Sequence, residues 1–102
     1  MQLYTTDFIT GENIETIGLV TGGATTTKHL GQDFGAAMRK IVGGEVKAYS
    51  KMLDETQAQA TLNMIEDAKQ MGADAVIAVS YSIASIEGSS KLLAFGTAVK
   101  FV

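Results

Sequence analysis

The chain has 102 residues, enough for one domain (1–102) and one core. Apolar residues make up 46%, too many for a disordered chain, and the absence of cysteine excludes disulfides and thiolate metal sites. A net charge of −3 disfavours a phosphate backbone, there is no basic–aromatic stripe for nucleic acid, and no apolar run nears the roughly 18–20 residues that span a bilayer.

Met1 to Phe8 carries Asp7 and has neither a basic nor an apolar signal region, so the expected location is cytoplasmic. Leu3 to Thr5 can form a short edge strand, and Thr10-Gly11-Glu12-Asn13 reads as a turn. From Ile14 to Val20 apolar residues fall on both parities, the pattern of a central strand or of one buried in an oligomer. The β-branched threonines 21, 25, 26 and 27 favour extended backbone, and Gly22-Gly23 interrupts them as a bulge or bend. Phe34, Ala37, Met38 and Ile41 recur at helical spacing, predicting a first helix over Gly31–Ile41 that Gly43-Gly44 stops.

A longer helix is predicted over Val46–Met71. Its stripe is Tyr49, Leu53, Thr56, Ala60, Met64, Ala68 and Met71, with Tyr49 as a packed anchor and Gly72 as the terminating residue. Ala75 to Ile86 then reads as a strand, with Val79, Tyr81 and Ile83 on one face. Glu87-Gly88-Ser89-Ser90 is the hairpin turn, and Lys91–Val102 the return strand, with Leu93, Phe95, Thr97 and Val99 sharing a face. The expected fold is α+β: a small mixed or antiparallel sheet packed against two helices, in the order β-β-α-α-β-β.

Neither G-x-G-x-x-G nor G-x-x-x-x-G-K-[ST] occurs, although Gly22-Gly23 could present backbone N–H groups to an anion. His29 is the sole imidazole, so a Cys/His zinc site cannot form within one subunit; His29 remains the one weak metal-ligand candidate, with carboxylates or with symmetry copies. Ser80, Ser82 and Ser85 lack a G-x-S-x-G elbow and a second histidine, and no catalytic residue is assigned. The mixed charges of the long helix fit a packed helix better than one lying on a membrane.

Thr5-Thr6, Gly18-Leu-Val-Thr-Gly-Gly, Gly35-Ala-Ala-Met-Arg-Lys-Ile-Val-Gly-Gly, Ala48-Tyr49, Gly72-Ala-Asp-Ala-Val and Phe95-Gly-Thr-Ala-Val99 occur in order along the chain. In these segments it resembles the YbjQ-like family, whose members carry a heavy-metal-binding label without an assigned biochemical role. The resemblance implies a small α+β subunit and a closed homo-oligomer, a pentamer. After the Thr-Gly motif the family continues with glutamate, whereas this chain has Gly23 and then Ala24-Thr-Thr-Thr-Lys-His-Leu30. The ligand-binding candidates are Thr21, Gly22, Gly23, Lys28, His29 and Arg39. The expected function is a structural or binding assembly of the chain with itself. The alternatives are a metal- or small-metabolite-binding protein with its site at a subunit boundary, and an enzyme of unassigned reaction. No cofactor is assigned.

Overall fold

The structure is a computed structural model that describes residues 1–26, 44–86 and 89–102. Its elements in chain order are β1 (Gln2–Leu3), β2 (Ile14–Thr25), α1 (Gly44–Gln70), β3 (Ala75–Ile86) and β4 (Ser89–Phe101). The strands form one sheet in the order β1-β3-β4-β2. β4 pairs antiparallel with both β2 and β3, while β1 runs parallel to β3, so the sheet is mixed.

Two expectations are corrected here. The order is β-β-α-β-β among the described residues, with one helix and not two; Gly31–Ile41, the expected first helix, lies outside them. Gly44, one of the pair expected to stop that helix, is the first residue of α1, a place where glycine is accepted, while Gly43 lies outside the described residues. β2 is not the central strand that was one of its two readings: among the described residues it is an edge of the sheet, paired with β4 alone.

The turn before β2 has Gly11 at φ 78° and a Glu12 N–H donating to the Ile9 carbonyl at 3.1 Å, the pattern of a type II turn. Helix α1 ends in a Schellman motif. Gly72 sits at φ 77°, its N–H donates to the Lys69 carbonyl at 3.0 Å, and the Ala73 N–H reaches the Ala68 carbonyl at 3.1 Å. Gly72 is thus the terminator that the sequence indicated.

The core is built of small side chains. Val20, Ala60, Met64, Ala68, Val76, Ala94 and Ala98 are completely buried between α1 and the sheet, joined by Leu92. On the opposite face Tyr4, Ile9 and Ile14 cover Ala75, Ile77 and Val99 at one end of the sheet. Met71, expected in the helix stripe, is instead 44% exposed, because it follows the last turn of α1. The side chain of Tyr49 lies outside the described residues.

Two bulges shape the sheet. One falls in β2 between Thr16 and Gly18; the other falls in β3 between Ile77 and Ser80, opposite Gly96. Gly22-Gly23, expected as the bulge or bend, lies in regular register against Ala94 and Leu93. Within the β3 bulge Ala78 adopts φ 53°, left-handed backbone that costs an L-residue about 1–2 kcal/mol. Hydrogen bonds hold it there: the Ala78 N–H donates to the Thr6 carbonyl at 2.8 Å, and the Val79 N–H to the Tyr4 carbonyl at 3.0 Å. The bulge therefore turns two amides toward the segment that follows β1. Because Ala78 is exposed, Ala78→Gly removes strain without opening a cavity, and should stabilise the fold by about 0.5–1 kcal/mol after glycine's entropy is counted. Chemical denaturation checks this; a loss of stability would show that the left-handed backbone carries no strain.

Candidate functional site

β2 and α1 meet so closely that one of the site candidates has to lack a side chain. A Cβ on Gly22 would overlap the Met64 backbone nitrogen and the Ala60 carbonyl oxygen, and would lie 2.8 Å from the Asn63 carbonyl carbon. On either side the helix binds the strand's outer edge. The Thr21 N–H donates to Asp67 Oδ2 at 3.2 Å, and the Asn63 amide donates to the Gly23 carbonyl at 2.8 Å. Asn63 is itself steadied by Gln59, whose amide donates to Asn63 Oδ1 at 3.0 Å.

Thr21, Gly22 and Gly23 are thus brought together as a seam between strand and helix. The Thr21 amide that an anion would use already holds a carboxylate. Lys28, His29 and Arg39 lie outside the described residues. Nothing in the sequence revealed the seam's helix partners, since Asp67 and Asn63 look like ordinary residues of a solvated helix face.

The helix lies over β2 and β4, leaving the helix-facing side of β3 partly open. There a groove of about 250 Å³ runs between Leu53, Asp54 and Gln57 of α1 and Tyr81, Ile83 and Leu92 of the sheet. The Thr61 hydroxyl donates to the Gln57 carbonyl at 2.8 Å, so its 2.8 Å contact with Tyr81 is a bond donated by the phenol. Tyr81 therefore spends its proton on the helix and is held as a structural wall. The shared parity of Tyr81 and Ile83 was visible in the sequence; the helix residues opposite them were not. On the other flank of α1 a cavity of about 220 Å³ lies between Thr26 and Ala24 of the sheet and Met52, Glu55 and Gln59 of the helix.

Among the described residues no three His, Cys, Asp or Glu side chains stand close enough to hold a metal ion. Two of the carboxylates are already acceptors for backbone amides, Asp67 from Thr21 and Asp74 from Phe101 at 2.8 Å. The described donor set does not fit a heavy metal, and soft metals would find only neutral methionine thioethers. Calorimetric titration of the metal-free protein with Zn²⁺ and Cu⁺, repeated on His29→Ala, should show no submicromolar stoichiometric binding. Tight binding lost in the variant would contradict this and assign the ion to His29. Among the described residues no helix is long and apolar enough to cross a membrane.

The family model YbjQ_1, described as "Putative heavy-metal-binding", matches residues 1–102. A UPF0145 protein of Clostridium novyi (strain NT) is 47% identical over 103 residues, covering 100% of both chains. Another, from Vibrio parahaemolyticus, is 47% identical over 100 residues, covering 96% of this chain and 95% of its own. A crystal structure of a protein described as of unknown function, from Pediococcus pentosaceus and placed in the DUF74 family, superposes with a TM-score of 0.70. It covers 100% of this chain and 98% of its own at 13% identity, a likeness of fold alone.

Proposed function

The chain belongs to the YbjQ-like family of UPF0145 proteins, and from that premise we propose that it is the subunit of a cytoplasmic homo-oligomer acting as a structural or binding assembly. The observation that carries this reading is the mismatch between core and surface. Among the described residues the largest completely buried side chains are Met64, Val20, Val76 and Val99, whereas Leu19 is 67% exposed, Phe8 and Leu62 59%, and Ile83 54%. Covering one such side chain is worth about 1.5–3 kcal/mol, so contacts between copies would add substantially to the few kcal/mol of a small domain. Five subunits is the number that the family resemblance implies.

A second reading draws on the groove beside Tyr81. At about 250 Å³ it falls below the roughly 300–1,000 Å³ of ordinary small-molecule pockets, so a metabolite would need walls from a neighbouring subunit. That makes ligand binding a property of the assembly and not of one chain.

If association contributes to stability, the thermal midpoint must rise with protein concentration by mass action. Melting curves from micromolar to submillimolar protein should shift upward by several degrees. Superimposable curves over that range would contradict the reading.

A further inference from the structure

We propose that the groove between α1 and β3 is a binding site for a small amine without a carboxylate, a compact apolar body carrying one ammonium head. This rests on the second reading above, that the groove takes a ligand, and names the class of that ligand.

The walls are apolar by parity. Tyr81 and Ile83 alternate onto the helix side of β3, and Ile83 stands opposite Leu92 of the interior strand β4. Leu92 is buried, Leu53 adds an aliphatic wall from α1, and Ile83 is left 54% exposed beside them. Surface of this kind is favourably covered by hydrocarbon.

The charge at the groove has one sign. The Tyr81 phenol gives its proton to Thr61, and the Thr61 hydroxyl gives its own to the Gln57 carbonyl at 2.8 Å. That relay leaves the Tyr81 oxygen as an acceptor only, as is an ionised carboxylate. Asp54 lines the same groove, is exposed, and bonds no described residue. Among the described residues no basic side chain lines the groove, and Gln57 contributes a neutral amide. A fitting ligand therefore brings the positive charge itself. An anion would meet Asp54 with no cation to offset it, and the carboxylate of an amino acid would meet the same repulsion. A hard metal ion needs several oxygen ligands, whereas Asp54 supplies a single carboxylate.

The size sets the body. At about 30 Å³ for each water-sized group, 250 Å³ holds about eight, the bulk of a phenyl ring with a short arm. The cavity on the other flank of α1 also has a carboxylate, Glu55, but Met52 is its one large apolar side chain among the described residues. Glu55 thus carries the same charge without the aliphatic walls, and serves as the control.

Methyl NMR of the full chain, read at Leu53, Ile83 and Leu92 during titration with phenethylamine near neutral pH, tests this. These methyls should shift saturably, with a Kd near or below about 1 mM. Replacing the amine by neutral phenethyl alcohol, or the protein by Asp54→Asn, should weaken binding about two- to fivefold, the worth of one exposed ion pair. Phenylpropionate and phenylalanine should not saturate, and Glu55→Gln should leave the amine's Kd unchanged. The alcohol comparison needs no variant, so a misfolded Asp54→Asn would not shield the proposal. Equal affinity for amine and alcohol, or saturation by phenylpropionate, would overturn the ammonium class while leaving the groove a ligand site. An amine Kd untouched by a folded Asp54→Asn would overturn the role of Asp54 and with it the class. No saturable shift at these methyls from any of the four probes would overturn both this inference and the ligand-binding reading.

Discussion

Gly22→Ala should destabilise the protein by about 3 kcal/mol or more, an unusually large loss for one added methyl. The new Cβ would overlap the backbone of α1 at Met64 and Ala60. Backbone atoms cannot rotate aside as a flexible side chain would, so strand and helix must separate. Separation stretches the Thr21–Asp67 and Asn63–Gly23 bonds and loosens the packing of Ala60 and Met64. Gly18→Ala is the matched control, because a Cβ there meets nothing within 4 Å. It should be neutral or slightly stabilising through the unfolded chain. Urea denaturation of both variants measures the difference; equal midpoints would show that the close approach is absent.

Met64→Ala should cost about 2–5 kcal/mol, from lost transfer energy and the cavity left behind. Met64 is the largest completely buried side chain among the described residues, and it packs in the cluster with Val20, Val76 and Leu92. Its neighbours in that cluster are mainly alanines and valines, which are too short to collapse into the space. Met64→Leu, nearly equal in volume, should cost less than about 1.5 kcal/mol. The gap between the two, read from denaturation midpoints, separates cavity formation from any special role of the thioether. If leucine proved as damaging as alanine, sulfur and not volume would be the reason for methionine there.

The long helix and its end were legible because they depend on local chemistry. Ala60, Met64 and Ala68 recur at one helical face, and Gly72 takes the left-handed backbone that side chains resist. The buried side of β4 was harder to read. Leu93, Phe95 and Thr97 carry the bulk, yet the helix packs on the opposite parity, over Leu92, Ala94 and Ala98. Two of those three positions carry only a methyl, so size alone misleads there. The glycine pair in β2 misled for the same reason: both bend and contact demand a missing Cβ, and only the helix position distinguishes them. The β3 bulge carried no signal, since an alanine at positive φ is held by bonds to Tyr4 and Thr6, far away in sequence. Thr21, Gly22 and Gly23, named from the sequence as ligand-binding candidates, lie together in the strand–helix seam, and Asp67 and Asn63 carried no sequence signal because their roles depend on tertiary contacts.

The central proposal is that this subunit is completed by copies of itself, with exposed apolar side chains covered in the assembly. Sedimentation equilibrium of the wild-type protein near physiological salt tests it most directly. The account predicts a single species whose mass is a whole multiple of 10.7 kDa, five being the multiple that the family resemblance implies. A mass that stays at 10.7 kDa across the concentration range would contradict it.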